Sequence, residues 1–401
     1  MNPSGTVFEK ILLDVEKDIY VENWVVSSEE FKDNSMSKWR IEKRRLKGGL
    51  GDGVDIVEVD NGRLSFTMVP TRGMGIWRGR CGEDSLGWDS PVKELVHPHY
   101  VNLEARNGLG WLAGFNEWVV RCGLENNGAP GEDVVVDNRG NQKRVILPLH
   151  GKVANIPASF VSAFVKAGKP MELGVNGTVY ERSMFGPNLK LSTSVTTEVG
   201  SNWLRIRDVV ENLGGIDTEM QLLYHCNYGT PLLEEGSHLM APVKQVAPRD
   251  LRSSEGIESY SKFSKPQPGY VEQVYFHELL GDERGCTKVA LVNKKATKAT
   301  SLSFNLRQLP YFTLWKNMAS VEDGYVIGLE PATNFPNHKA FERRHGRVVN
   351  LKPSERYEVE IIFAVHSDEA EVRLLEDEVR KIQRRVKPKI FSHPDLEFSP
   401  G

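Results

Sequence analysis

Tyr357, Val359, Ile361, Phe363 and Val365 recur at strict period two. Successive side chains of an extended strand point to opposite faces, so this spacing lines one face with apolar groups. The same spacing returns at Leu64, Phe66 and Met68, at Leu189, Leu191, Thr193 and Val195, and at Leu204, Ile206, Asp208 and Val210. Thr193 and Val195 add β-branched side chains that fit a pleated surface. Such patterns belong to antiparallel sheets with one face packed on a core. The chain is therefore expected to be mainly β, with two packed antiparallel sheets and clear strands at 62–70, 187–212 and 357–365.

One segment departs from that pattern. Val372, Leu375, Val379, Ile382 and Val386 step by 3, 4, 3 and 4, which is a helix stripe. Asp368, Glu369 and Glu371 lie early in it and Lys381, Arg384 and Arg385 late, in keeping with the helix dipole. A C-terminal helix is expected over 368–386. No repeat and no clear linker divides the chain. Residues 1–45, mixed and charged, are expected as an N-terminal extension packed on the core, and 46–401 as a single domain.

Composition narrows the function classes. The 401 residues are 39% apolar and 26% charged, with a formal net charge of −3. That balance, with no sustained basic run before the C-terminus, argues against a nucleic-acid partner. No stretch of about 18 apolar residues suggests a membrane span. Glu9, Lys10, Asp14, Glu16 and Lys17 interrupt any leader-like apolar run. A cytoplasmic location without membrane association is expected, and a homodimer is compatible with the chain. Cys81, Cys122, Cys226 and Cys286 are far apart and form no CxxC pair, against a disulfide framework or zinc knuckle.

Chemistry concentrates in three stretches. Residues 325–338 form an apolar run that delivers Glu330 directly before Pro331 and then breaks into Asn334, Pro336 and Asn337. A strand ending this way puts a carboxylate at a rim or mouth. Leu147-Pro148-Leu149-His150-Gly151 and Leu222 to Gly229 each carry one His, His150 and His225, in apolar strand-like surroundings. A lone His there is more often a satisfied core residue. Arg72, beside Gly73 and Gly75 at a strand end, is a candidate to grip a polar ligand. Residues 87–123 mix Trp111, Phe115 and Trp118 with Asn102, Asn116 and Arg121, the combination that stacks on sugar rings and reads hydroxyls. His97 and His99 have strand spacing but lack a third ligand nearby.

Taken together, the three stretches resemble the galactose mutarotase-like (aldose 1-epimerase) superfamily, and more closely a bacterial branch of it described as a domain of unknown function. The resemblance covers roughly 50–365 and rests on His150-Gly151, then His225 with Asn227, then Glu330-Pro331, in that order. The Arg72-Gly73-Met74-Gly75 turn sits where that family places an early glycine motif. Two motifs depart from the family: His150-Gly151 is followed by Lys152, and His225 sits in Tyr224-His225-Cys226-Asn227-Tyr228-Gly229. The resemblance implies a β-supersandwich with a sugar cleft, a Glu base and a His acid.

Interconverting anomers requires removal of the C1 hydroxyl proton and protonation of the ring oxygen. A carboxylate and an imidazole on opposite sides of one ring do this without a metal or nucleotide. Glu330 is expected as base and His225 as acid, with His150 orienting the ring oxygen or a hydroxyl. Arg72, Asn227 and Arg121 are expected to bind substrate, and Trp315 or Trp118 to stack on it. No cofactor is expected. Two other readings use the same residues: a silent carbohydrate-binding protein, and a metal-dependent sugar isomerase or lyase with His150, His225 and Glu330 as ligands.

Overall fold

The computed structural model describes residues 7–31, 38–383 and 386–401. Its strands form one sheet of ten strands, one of fourteen and a separate hairpin, Gly131–Val136 with Gln142–Leu147. Strand pairing is antiparallel except where Lys389–Ile390 lies parallel to Val243–Pro248. Of the alternating runs read from sequence, Leu64–Val69 joins the fourteen-stranded sheet, while Asn188–Glu198, Trp203–Asn212 and Arg356–His366 lie side by side in the ten-stranded one, with Glu172–Arg182 next to Asn188–Glu198. Their register aligns Val175, Val195, Ile206, Ile361 and Phe304 in one cross-strand row. Cross-strand neighbours of this kind are what hold a sheet's packed face together. That face meets Phe66, Ile76, Leu222 and Leu329 of the fourteen-stranded sheet in a single core.

The N-terminal segment is built into this frame. Val7–Asp14 pairs with Phe160–Lys166 in the smaller sheet, while Trp24–Ser27 and Arg40–Arg45 lie at an edge of the larger one. The described residues before 46 thus supply strands to both sheets. The C-terminal helix runs Glu369–Gln383 and sets Val372 and Leu375 against Ala290, Val292 and Ala299. Val386 lies beyond its end, and Arg384 and Arg385 are outside the described residues. Among the described residues no helix is long and apolar enough to cross a membrane.

Candidate active site

In the larger sheet the strand Thr218–Tyr228 lies between Val119–Leu124 and Val326–Ala332. Leu222, Tyr224, Cys226 and Tyr228 point into the core between the sheets. Period two therefore sends Leu223 and His225 to the outer face. The register Leu223–Ala332 and Cys226–Leu329 sets His225 opposite Glu330, and Glu330 pairs on its other side with Thr313. Thr313, Glu330 and His225 thus form one row on the outer face. Residues 109–115 and 147–151 fold over it. They enclose a cavity of about 230 Å³ walled by Trp111, Phe115, Leu149, His150 and Trp315, with Arg249 and Glu272 also on its lining. A larger hollow of about 510 Å³, around Arg207, Ser303 and Glu358 on the smaller sheet, contains no comparable acid–base pair.

Within the cavity Nε2 of His225 lies 3.2 Å from Oε1 of Glu330, and both side chains are buried. The tautomer follows from the neighbours. Nδ2 of Asn227 donates to the carbonyls of Glu117 and His225, so its Oδ1 faces Nδ1 of His225 at 2.6 Å. An amide oxygen only accepts, so Nδ1 carries the hydrogen and the Nε2 of a neutral ring is bare toward Glu330. Burial pushes Glu330 well above the usual carboxylate range; nearby Glu272 adds to this and Arg249 opposes it. Burial holds His225 well below the usual imidazole range, with His150 acting in the same direction. Both shifts favour the uncharged forms, a protonated Glu330 beside a neutral His225. Among the described residues Oε1 of Glu330 has no hydrogen-bond partner beyond its contact with Nε2 of His225. Gly328, two residues earlier on the same face, makes room for it: a Cβ there would collide with Oε1 and lie 3.0 Å from Cε1 of His225.

His150 enters from the covering segment with a left-handed backbone, φ 58°, and Gly151 follows at φ 73°. A Cβ on Gly151 would run into the carbonyls of Gly123 and Asn126, which explains the glycine. Nδ1 of His150 donates to the carbonyl of Asn127 at 2.8 Å. Its ring packs against Trp111 and His225, with centroids 4.7 and 5.4 Å away. Burial lowers its pKa to about 4. His150 is thus neutral near pH 7 with a bare Nε2, which can accept a hydrogen bond but not donate one.

The remaining expected site residues separate into two groups. Trp315 lines the cavity and donates Nε1–H to Glu272 at 2.7 Å. Asn227 is fully buried and holds His225 instead of a ligand. Arg72, Arg121 and Trp118 do not reach the cavity. Arg72 is fully enclosed, paired with Glu117 at 2.6 Å and bonded to the carbonyls of Val96 and Gly114. Arg121 lies opposite Tyr224, on the core side, and pairs with Asp208. Trp118 packs in the core against Tyr228 and Phe363. A buried guanidinium must be neutralised, and each arginine has a carboxylate doing so. His97, for its part, caps the turn Pro98–Tyr100. Among the described residues no group of three or more His, Cys, Asp or Glu side chains is arranged to hold a metal.

Reading from sequence missed Thr313, Gly328, Arg249 and Glu272. Thr313 and Gly328 were within reach, since each is two residues from a named one, Trp315 and Glu330.

Residues 51–365 match the family described as Domain of unknown function (DUF4432). The chain belongs to the DUF4432 family. It is 36% identical to a "putative aldose 1-epimerase" from Klebsiella pneumoniae, over 96% of this chain and 98% of that one, with a TM-score of 0.90. More distant structures share the fold. A galactose mutarotase-like protein from Clostridium acetobutylicum is 12% identical, with 86% and 99% of the two chains covered and a TM-score of 0.55. A GalM/aldose epimerase homologue from C. elegans is 13% identical, with 79% and 99% covered and a TM-score of 0.50. No curated protein matches the chain. This DUF4432 chain thus has the β-supersandwich fold of the galactose mutarotase-like proteins.

Proposed function

We propose that this protein is an aldose 1-epimerase-type isomerase that interconverts the anomers of a reducing sugar through Glu330 and His225. The observation carrying this reading is the 3.2 Å contact between Nε2 of His225 and Oε1 of Glu330 in an aromatic-walled cavity. The two oxygens that exchange protons in anomer interconversion, O1 and O5, are bonded to the same carbon. An acid and a base side by side match them better than the opposite-sided arrangement expected from sequence.

One proton serves both roles. Transfer from Glu330 to His225 creates a carboxylate and an imidazolium, which sugar hydroxyls stabilise by donating to one and accepting from the other. The carboxylate takes the O1 proton as the imidazolium gives its proton to O5, and the C1–O5 bond opens. The pair is then neutral again, the state that burial favours. Rotation about C1–C2 and reversal of the same transfers closes the ring on the other face of the aldehyde. His150 accepts from a neighbouring hydroxyl, and Trp315 and Trp111 offer apolar faces to ring C–H groups.

The test is saturation-transfer NMR of anomer exchange across a panel of aldoses. Acceleration of at least one sugar above its spontaneous rate is expected. Binding without acceleration for every sugar would leave a silent carbohydrate-binding protein instead.

A further inference from the structure

Thr313 completes the His225–Glu330 row, yet nothing above gives its hydroxyl a role. It pairs in register with Glu330, is 1% exposed, and lies on the lining of the cavity. Among the described residues its Oγ1 has no hydrogen-bond partner. A buried hydroxyl without a partner costs free energy, and valine would fill the same space with the same preference for a strand. Buried polar groups are rarely left so. Two other lining residues carry orphan atoms, Nε1 of Trp111 and Oε1 of Glu330. The indole only donates, the threonine hydroxyl does either, and Oε1 of Glu330 only accepts once its proton has passed to His225. Vicinal hydroxyls, each both donor and acceptor, satisfy such a set.

The order of the row adds a direction. Neighbouring strands lie about 4.8 Å apart, so Thr313, Glu330 and His225 are set out in sequence along a line. In the mechanism above Glu330 serves O1 and His225 serves O5. The remaining heavy-atom neighbour of C1 is C2, and the side of Glu330 away from His225 belongs to Thr313. We propose that Thr313 is a specificity-determining residue whose hydroxyl binds the 2-hydroxyl of the aldose. This rests on the anomer-exchange reading of the site.

The experiment is a four-way comparison of wild type and Thr313→Val on one accepted aldose and its 2-deoxy analogue. Wild type is expected to lose roughly three- to tenfold in kcat/KM on the 2-deoxy sugar, the worth of one neutral hydrogen bond. Thr313→Val should lose about as much on the parent sugar and show no further loss on the 2-deoxy sugar. Thr313→Ser should restore the discrimination. Removal of a hydroxyl distant from C2 should affect wild type and Thr313→Val equally. Thermal melting of Thr313→Val at or above the wild-type temperature confirms that the fold is intact. Equal rates for wild type and Thr313→Val on the parent sugar, or discrimination that survives in Thr313→Val, overturns the inference. If wild type exchanges no anomers, the isomerase reading fails separately. The same comparison is then read from sugar binding by ligand-observed NMR, where absence of coupling or of any binding overturns the role of Thr313.

Discussion

Asn127 and Asn334 exchange two amide hydrogen bonds of 2.9 Å each, across 207 residues of sequence. The carbonyl of Asn127 receives Nδ1–H of His150, and Asn334 follows Glu330 on the same stretch. The pair therefore fixes the segment that carries His150 relative to the strand that carries Glu330.

Asn334→Ala leaves the buried Asn127 amide without its partner. A loss of about 1–3 kcal/mol in stability is expected from the unsatisfied group. Anomer exchange, assayed well below the melting temperature, should fall toward the level of a His150→Ala variant. Denaturant unfolding together with NMR exchange checks both; an unchanged rate would mean that His150 keeps its place without Asn334.

Glu330→Gln keeps the shape of the side chain and removes the base. Exchange should drop by roughly 10²–10⁴-fold, the usual contribution of general acid–base catalysis, while sugar affinity changes little. Saturation-transfer NMR compares the two proteins on the same aldose. A mutant that works at the wild-type rate would remove Glu330 from the mechanism.

The pH profile follows from the direction of the two shifts. The active pair holds one proton. Acid inactivates it by adding a second proton at His225, whose pKa is lowered, and alkali by removing the one on Glu330, whose pKa is raised. Independent groups with ordinary values near 4.3 and 6.5 would confine activity between them. The pair, with one value lowered and the other raised, should instead stay active well beyond both ends of that interval. A kcat/KM profile that declines between pH 6 and 7 would contradict this assignment.

Acid should also weaken the fold through His150 and His277, whose folded pKa values are lowered to about 4 and about 3 by burial. Between those values and the ordinary imidazole value near 6.5 the unfolded chain binds more protons, so stability rises with pH in that window. It is fully present above about 6.5 and lost as pH falls through the folded values. Urea midpoints measured from pH 7 to 4 should fall, and His277→Gln should flatten part of the slope.

Arg72→Ala should unfold the protein more readily rather than release sugar. Removing one partner of a buried ion pair costs about 3–5 kcal/mol, because Glu117 is left buried and charged. A lower melting temperature with sugar affinity unchanged in the folded fraction is the expected result. Chelation by EDTA, in contrast, should leave exchange unaffected; loss restored by one added metal ion would favour the metal-dependent reading of the same residues.

Sequence alone carried the fold class, because strands packed on one face write their burial as period two. Val359, Ile361 and Phe363 are buried, and the outward Glu358 and Glu360 are exposed. It also offered His150, His225 and Glu330 as candidates, through the order of three motifs that resemble a known family rather than through any one residue, each of which alone reads as a core or strand-end group. What it could not carry was which way the arginines and tryptophans point. Val119–Leu124 and Val326–Ala332 are buried along their whole length, so no alternation of polar and apolar residues marks the face that meets the cavity. Arg121 belongs to the core side only because Tyr224 lies opposite it, and that register is set by pairing with a strand about 100 residues away in sequence. The same tertiary pairing placed Thr313 beside Glu330 and His225 within reach of its carboxylate. Long-range strand register depends on the packing of both sheets together, and it is this packing that converted three separate residues into one site.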